Sequence, residues 1–136
     1  MSHWLLKTEP SDYAYDDLVR DKRTVWDGVG NALALQHIRK ISAGDLCFIY
    51  HTGNEKAVVG IAKVIKAPYS DPAGDDSKMT VIDLKPMRKL ANPVTLAQIK
   101  TDPAFQGWDL IRNSRLSAMP VPTAMWIRIE TLSEQI

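Results

Sequence analysis

The side chains that most often bind metals or act as nucleophiles are few in this chain, which has one cysteine and three histidines. His3, His37 and His51 are far apart, and no His-x-x-x-His or Cys-x-x-Cys pair gives the spacing of a zinc site. Cys47 and His51 could act as a nucleophile and its base, but four residues along a strand separate them by about 13 Å. The sequence therefore predicts no metal site and no cysteine nucleophile.

Two further patterns argue against a nucleotide cofactor and against acid and base catalysis. Gly28-Val29-Gly30 is neither a G-x-G-x-x-G fingerprint nor a P-loop, because no strand leads tightly into it and no Gly-Lys-Ser/Thr follows. Asp16, Asp17 and Asp21 fall on one short predicted helix, where exposed, solubilising charge explains them better than acid and base catalysis. We expect no cofactor, and no residue pattern here requires catalysis.

Length and charge limit the class of protein. A chain of 136 residues with 45% hydrophobic and 24% charged residues can form one folded domain, and we expect a single domain over residues 1–136. The net charge of +1 argues against a protein that neutralises many phosphates of a long nucleic acid. Residues 78–115 nevertheless carry seven basic and three acidic side chains, a local balance of +4. Charge alone permits a small basic surface, although scattered charges more often form solvated faces.

The predicted location is the cytoplasm. The N-terminal segment has no basic leader, and its Leu5-Leu6 pair is too short for a signal sequence or a spanning helix, so we expect no membrane partner. Cys47 lies in the apolar run from Leu46 to Tyr50, where a buried, reduced thiol is expected.

Apolar periodicity predicts an α+β fold, a small curled β-barrel or sheet of mainly antiparallel strands wrapped by short helices. The predicted strands, in chain order, are Trp4 to Lys7, Leu46 to His51, Ala57 to Lys66 and Met79 to Lys85. The second of these is apolar on both alternating faces, which indicates burial on both sides. A segment rich in Pro, Gly and Asp, Ala67 to Asp76, predicts an irregular exposed loop that carries Tyr69.

Caps and spacing predict the helices, which cover Asp16 to Arg20, Asn31 to Lys40, the turn after Thr95 and the segment after Pro122. Asn31 is a good helix cap, and Thr95 with Gln98 matches a capping box. Beyond Pro86 we expect only short elements, since proline cannot donate to a strand ladder.

Several polar and aromatic residues remain at strand ends and in short loops, and they carry a resemblance. The segments that contain them resemble the EVE domain family, whose members share five ordered motifs. In this chain the motifs stand as Trp4 to Pro10, Trp26 to Val29, Gly44 to His51, Gly60 to Val64 and Arg115 to Ser117. They follow the family order across nearly the whole chain, so together they are far more specific than any one of them.

The resemblance implies a PUA-like fold, related to YTH domains, and a non-catalytic reader of a modified nucleobase, either modified cytosine or methylated adenine, in DNA or RNA. A base extruded from its stack regains about 1–3 kcal/mol by stacking on an aromatic ring. On this model Trp26 is the stacking platform, and the backbone of Asp27 bonds the base edge. Lys7 and Arg115 hold flanking phosphates. The other site residues are Glu9, Asn31 and Ser114 as polar contacts, and Tyr50 and Tyr69 as a second wall.

Each of these residues also has a structural interpretation. Trp26 would otherwise be a half-buried core aromatic, and Tyr50 could equally pack in the core. Glu9 would form an ion pair with Lys7 that closes the first strand. The chain also departs from the family pattern, because Gly30 and Leu35 stand where arginines are common. We therefore expect weaker phosphate affinity, and binding of a free modified nucleoside or help from a protein partner becomes an alternative.

Two other functions stay open at this point. Small ASCH-type amidohydrolases with a related fold act on modified nucleosides through Lys, Thr and Glu, which Lys7, Thr8 and Glu9 could supply. Strand alternation points Lys7 and Thr8 to opposite faces, so the trio converges only if the chain twists after Lys7. A third alternative is an interaction module with a vestigial cleft. The sequence leaves the oligomeric state open.

Overall fold

A mixed sheet of six strands organises the structure, a computed structural model that describes residues 2–26, 31–70 and 80–135. The strands are β1 (His3–Thr8), β2 (Thr24–Trp26), β3 (Leu46–His51), β4 (Ala57–Ser70), β5 (Thr80–Thr95) and β6 (Ala118–Pro120). Their order across the sheet is β2-β5-β4-β3-β1-β6. β1 and β3 are parallel, whereas the other four pairs are antiparallel. The predicted α+β class with a mainly antiparallel sheet is confirmed.

Irregular pairing curls the sheet along β4 and β5. Four register shifts interrupt the pairing of these two long strands, and such irregularities bend a strand and increase its twist. Pro68, Pro86 and Pro93 all lie at or within these shifts. At a shift the ladder already lacks regular bonds, so a residue without an N–H is accommodated there.

The register shifts between β4 and β5 explain why two predictions were wrong. β5 does not end at Lys85 but continues through Pro86 to Thr95, where short elements were expected. Tyr69 lies in β4 opposite Val81, although its neighbour Pro68 favoured a loop. Residues 71–76, the rest of that predicted loop, lie outside the described residues.

Short helices pack around the sheet as α1 (Tyr15–Asp21), α2 (Ala32–Arg39), α3 (Leu96–Thr101), α4 (Asp109–Arg112) and α5 (Thr123–Glu134). The local signals for two of them are confirmed. The Asn31 side chain accepts a hydrogen bond from the Ala34 N–H at 3.0 Å, and Thr95 and Gln98 form the capping box of α3. Among the described residues, no helix is long and apolar enough to cross a membrane.

The core lies on both sides of β3, as its apolar faces predicted. Every residue from Cys47 to His51 is buried, and the Phe48 ring stacks on Trp126 of α5 with centroids 3.7 Å apart. Cys47 is completely buried, which raises the pKa of its thiol far above the ordinary range. The expected burial of this cysteine is confirmed.

A buried carboxylate that the sequence analysis did not single out joins the starts of β1 and β3. Asp45 is 5% exposed. It accepts hydrogen bonds from the Ser2 and Ser42 main-chain N–H groups at 3.0 and 2.9 Å and from the Trp4 indole N–H at 3.0 Å. Because every carboxylate oxygen is used, burial of this charge is compensated.

Candidate nucleic-acid interface

The parallel pairing of β1 and β3 brings the first group of predicted site residues together. Lys7 lies directly opposite Tyr50 in the register, and its Nζ is 5.7 Å from the centroid of the Tyr50 ring. The same Nζ donates a hydrogen bond to the main-chain carbonyl of Ser114 at 3.1 Å. Residues from the two ends of the chain therefore meet at the carboxyl ends of β1 and β3.

The charge of Lys7 is not neutralised at this position. Partial burial lowers its pKa, because desolvation disfavours the charged amine. Within the described part of the chain, no carboxylate oxygen lies within 4.0 Å of Lys7. Glu9, its predicted partner, instead accepts hydrogen bonds from the Ser11 main-chain N–H at 3.3 Å and from the Thr52 hydroxyl at 3.2 Å. A half-buried cation without a carboxylate can bind an anion from outside the chain.

Arg115 and Ser114 lie in the loop between α4 and β6, and both are exposed. The contact of Ser114 with Lys7 fixes this loop beside the end of β1. Arg115 follows directly, so the loop places a second cation near Lys7. The segments that carry the two predicted phosphate contacts therefore lie at the same end of β1.

Trp26 is connected to the end of β1 through Tyr13, a residue that the sequence analysis overlooked. The Thr8 hydroxyl donates to the Tyr13 carbonyl at 2.7 Å, and the Tyr13 ring lies nearly perpendicular to Trp26 with centroids 6.3 Å apart. Trp26 is the last residue of β2 and is 7% exposed. Asp27, the predicted contact to the base edge, lies outside the described residues, as does Gly30.

Two other predicted site residues, and the position of one missing arginine, have defined structural roles. The Asn31 oxygen caps α2. Tyr50 is 3% exposed, and burial raises the pKa of its hydroxyl. Leu35, where family members often carry arginine, is 7% exposed and packs in the core, so this position faces inwards.

Tyr69 lies on the other face of the sheet from Trp26. Val25 of β2 lies opposite Asp83, and Tyr69 of β4 lies opposite Val81, two residues before Asp83 on the same face. The Tyr69 hydroxyl donates to Asp83 Oδ1 at 2.5 Å. Trp26 follows Val25 in β2, and successive side chains of a strand point to opposite faces. A lone aspartate between Ile82 and Leu84, both completely buried, was the sequence signal for this polar group.

The side chains of the residues considered for catalysis bond to other groups of the protein. Lys7 contacts Ser114 and Tyr50, Thr8 contacts Tyr13, and Glu9 contacts Ser11 and Thr52. Both ring nitrogens of His51 are also engaged: Nε2 accepts from the Tyr15 main-chain N–H at 3.0 Å, and Nδ1 lies 2.5 Å from Glu55 Oε1. Over the described ranges, no group of three or more His, Cys, Asp or Glu side chains could hold a metal ion.

Comparison with known proteins decides the family. The sequence model of the EVE domain family matches residues 2–132 of this chain. The chain belongs to the EVE domain family. Its α+β fold is accordingly the PUA-like fold of this family, as the resemblance implied.

Solved structures of other proteins match almost the whole chain. A protein from Rhodopseudomonas palustris is 35% identical, with a TM-score of 0.92 over 98% of this chain and 93% of that chain. Human thymocyte nuclear protein 1 is 26% identical over 98% of this chain and 75% of its own length. The structure of the human protein in complex with DNA containing 5-methylcytosine has a TM-score of 0.91 at 25% identity, over 100% of this chain and 99% of that chain.

The likeness to an ASCH protein is more distant. A solved ASCH structure from Zymomonas mobilis is 13% identical, with a TM-score of 0.64 over 98% of this chain and 97% of that chain. This shows a shared fold alone.

Proposed function

We propose that this EVE domain protein is a non-catalytic reader of a modified cytosine in DNA, with the base held against the ring of Trp26. The observation that carries the proposal is the full-length structural likeness to a human protein solved with DNA that contains 5-methylcytosine. The likeness spans 100% of this chain and 99% of the DNA-bound chain.

The environment of Lys7 supports a phosphate contact. Its ammonium group is half-buried between the Tyr50 ring and the Ser114 carbonyl, and it has no carboxylate within 4.0 Å among the described residues. A cation already fixed by a neutral carbonyl loses little side-chain freedom when a phosphate binds. Arg115, exposed on the same loop as Ser114, adds a second positive charge beside it.

Trp26 is the proposed base contact; its ring is 7% exposed, so the base would stack on the small part that the protein leaves accessible. The ring closes the end of β2, and the nearly perpendicular Tyr13 ring holds it in place. Stacking on such a ring returns about 1–3 kcal/mol per base. A methyl group on the cytosine adds apolar area, and burial of one such group contributes about 1 kcal/mol.

The proposal includes no chemical step. The side chains of Lys7, Thr8 and Glu9, the trio that an amidohydrolase would need, each bond to a different partner: the Ser114 carbonyl, the Tyr13 carbonyl and the Thr52 hydroxyl. Cys47 is buried, and burial raises the pKa of its thiol. We therefore expect no turnover of acetylated cytidine, and turnover that Lys7→Ala abolishes would contradict the proposal.

Calorimetric titration with two matched duplexes tests the proposal. One carries a single 5-methylcytosine and the other carries cytosine, and we expect about fivefold or more tighter binding of the methylated duplex. Trp26→Ala should weaken that binding by about fivefold to a hundredfold, since about 1–3 kcal/mol of stacking is lost. Equal affinity for both duplexes would contradict the proposal.

The control must separate binding from folding, since Trp26 also belongs to the core. Trp108 is similarly buried, at 4% exposed, but packs on Phe105. Trp108→Ala removes an equally buried indole and should leave the affinity of the folded protein unchanged. Both variants are titrated at a temperature at which circular dichroism shows them folded.

A further inference from the structure

We propose that the outer face of β2, β4 and β5 is a second contact surface for the nucleic acid and binds its phosphate backbone. Four basic residues form this surface, called the outer basic face below: Arg23, Lys63, Lys66 and Lys85. The inference rests on the proposed function, because it assigns a further surface to the same bound DNA. It also moves Tyr69 from the base pocket to the support of this surface.

The strand register places these residues on one side of the sheet. Lys63 lies opposite Lys85, and Lys66 lies opposite Asp83, two residues before Lys85 in β5. Side chains that face each other across a ladder, or lie two residues apart on a strand, share a face. Ile82 and Leu84, which alternate with them, are completely buried in the core.

Most of the positive charge on this face is not neutralised by the protein. None of Lys63, Lys66 and Lys85 has a carboxylate oxygen within 4.0 Å in the part of the chain that the structure describes. Three basic residues elsewhere do form ion pairs: Arg20, Lys89 and Arg128 pair with Asp21, Asp16 and Asp102. Among the described residues, the carboxylate that contacts this face is that of Asp83, so the four cations there carry an excess of positive charge.

Asp83 positions the side chains of this face but does not neutralise its positive charge. Its side chain is 6% exposed and accepts hydrogen bonds from the Tyr69 hydroxyl at 2.5 Å and from Arg23 Nη2 at 2.5 Å. Burial works to raise the pKa of Asp83, but these bonds outweigh it and hold the pKa below its ordinary value. Lys66 Nζ lies 4.0 Å from the centroid of the Tyr69 ring, so the fixed ring also positions this lysine.

The face lies close to the proposed base contact. Val25, next to Trp26 in β2, is opposite Asp83, and Lys66 is one strand further away. Neighbouring strands are about 4.8 Å apart, so Lys66 lies on the order of 10 Å from the β2 backbone. Trp26 and this face lie on opposite sides of the sheet, but β2 is its edge strand, so DNA that passes around this edge can contact both. Phosphate contacts there would compensate for the arginines missing at Gly30 and Leu35.

A salt titration of two triple variants tests the outer basic face. One variant is Lys63→Gln, Lys66→Gln and Lys85→Gln, and its control is Lys40→Gln, Lys56→Gln and Lys100→Gln, three exposed lysines elsewhere with the same total charge change. Binding to the methylated duplex is measured by fluorescence anisotropy from about 50 to 200 mM salt.

We expect the first variant to bind about tenfold or more weakly, with a slope of log affinity against log salt that is shallower by about 2–3. Its preference for 5-methylcytosine over cytosine should stay unchanged, because phosphate contacts carry no base information. The control should keep the slope of the unmodified protein. An unchanged slope in the first variant, or an equal change in the control, would overturn the inference.

The outcomes separate this inference from the proposed function. If the unmodified protein binds DNA with a slope that depends on Lys63, Lys66 and Lys85 but does not prefer the methylated duplex, the reader function fails and the outer basic face stands. If it prefers the methylated duplex and the triple variant changes nothing, only the outer basic face fails. If no duplex binds, both are overturned.

Discussion

The ammonium group of Lys7 donates a hydrogen bond to the main-chain carbonyl of Ser114, 107 residues later in the chain. This contact holds the loop that carries Arg115 beside the carboxyl ends of β1 and β3. It leaves both cations without a neutralising carboxylate within the described residues, so a phosphate can complete the arrangement.

Lys7 and Arg115 should each contribute to DNA affinity. Lys7→Gln and Arg115→Gln should each weaken binding of the methylated duplex by about threefold to tenfold and make the salt slope shallower by about 1, the change expected for one phosphate contact. Fluorescence anisotropy at several salt concentrations measures both effects. Arg112→Gln is the control, since Arg112 is exposed on the neighbouring helix α4. The assignment is wrong if Arg112→Gln weakens binding as much as Arg115→Gln.

Asp45 should make stability depend on acid pH. Burial works to raise its pKa, but bonds from Ser42, Ser2 and Trp4 outweigh burial and hold the folded pKa below the ordinary value of 3.8. The stability from the ionised group is therefore fully present above about pH 3.8 and is lost as pH falls through the folded pKa.

Replacement of this carboxylate provides the test. Asp45→Asn should lower the free energy of unfolding by about 1–3 kcal/mol at pH 7, and the difference from the unmodified protein should narrow below about pH 3.8. Urea denaturation between pH 3 and 7 measures this. Asp12→Asn, at an exposed position, should change stability by less than about 0.5 kcal/mol. A difference that stays constant with pH would argue against the role of the ionised group.

Substitutions at Gly60 and Tyr15 should have non-additive effects on the free energy of unfolding. A Cβ atom at Gly60 would lie 2.5 Å from the Tyr15 ring, which is 1% exposed and donates its hydroxyl to the Ile61 carbonyl at 2.7 Å. Gly60→Ala should therefore lower the free energy of unfolding by about 1–3 kcal/mol, because the ring cannot move without loss of that bond. In a Tyr15→Leu background the same change should cost less, and additive costs in urea denaturation would refute this coupling.

The parts of the fold that depend on neighbouring residues in the chain could be predicted. Asn31 and Thr95 were recognised as helix caps because a cap is made within three residues. The path of β5 through Pro86 could not be predicted in this way, because its register shifts arise from its pairing with β4. Tyr69 was misplaced in a loop for the same reason, since its position follows from pairing with Val81.

The candidate site was predictable only in part. The family motifs identified Lys7, Trp26 and Arg115, but not the contacts between them. Tyr13 joins Thr8 to Trp26: its main-chain carbonyl accepts from the Thr8 hydroxyl, and its ring contacts the Trp26 ring. No pattern in the local sequence predicts this link. Asp83 had a signal, a charged residue between buried neighbours, whose meaning depends on Arg23 and Tyr69 from other strands.

The most direct test of the central claim is the nuclear magnetic resonance signal of the Trp26 indole N–H during titration with the methylated duplex. The four tryptophans give four indole signals, which single Trp→Phe variants assign. If the base stacks on Trp26, its ring current should shift the Trp26 signal, while the signals of Trp4 and Trp108, bonded to Asp45 and the Pro120 carbonyl, stay in place. Saturable binding that leaves the Trp26 signal unmoved would contradict the claim.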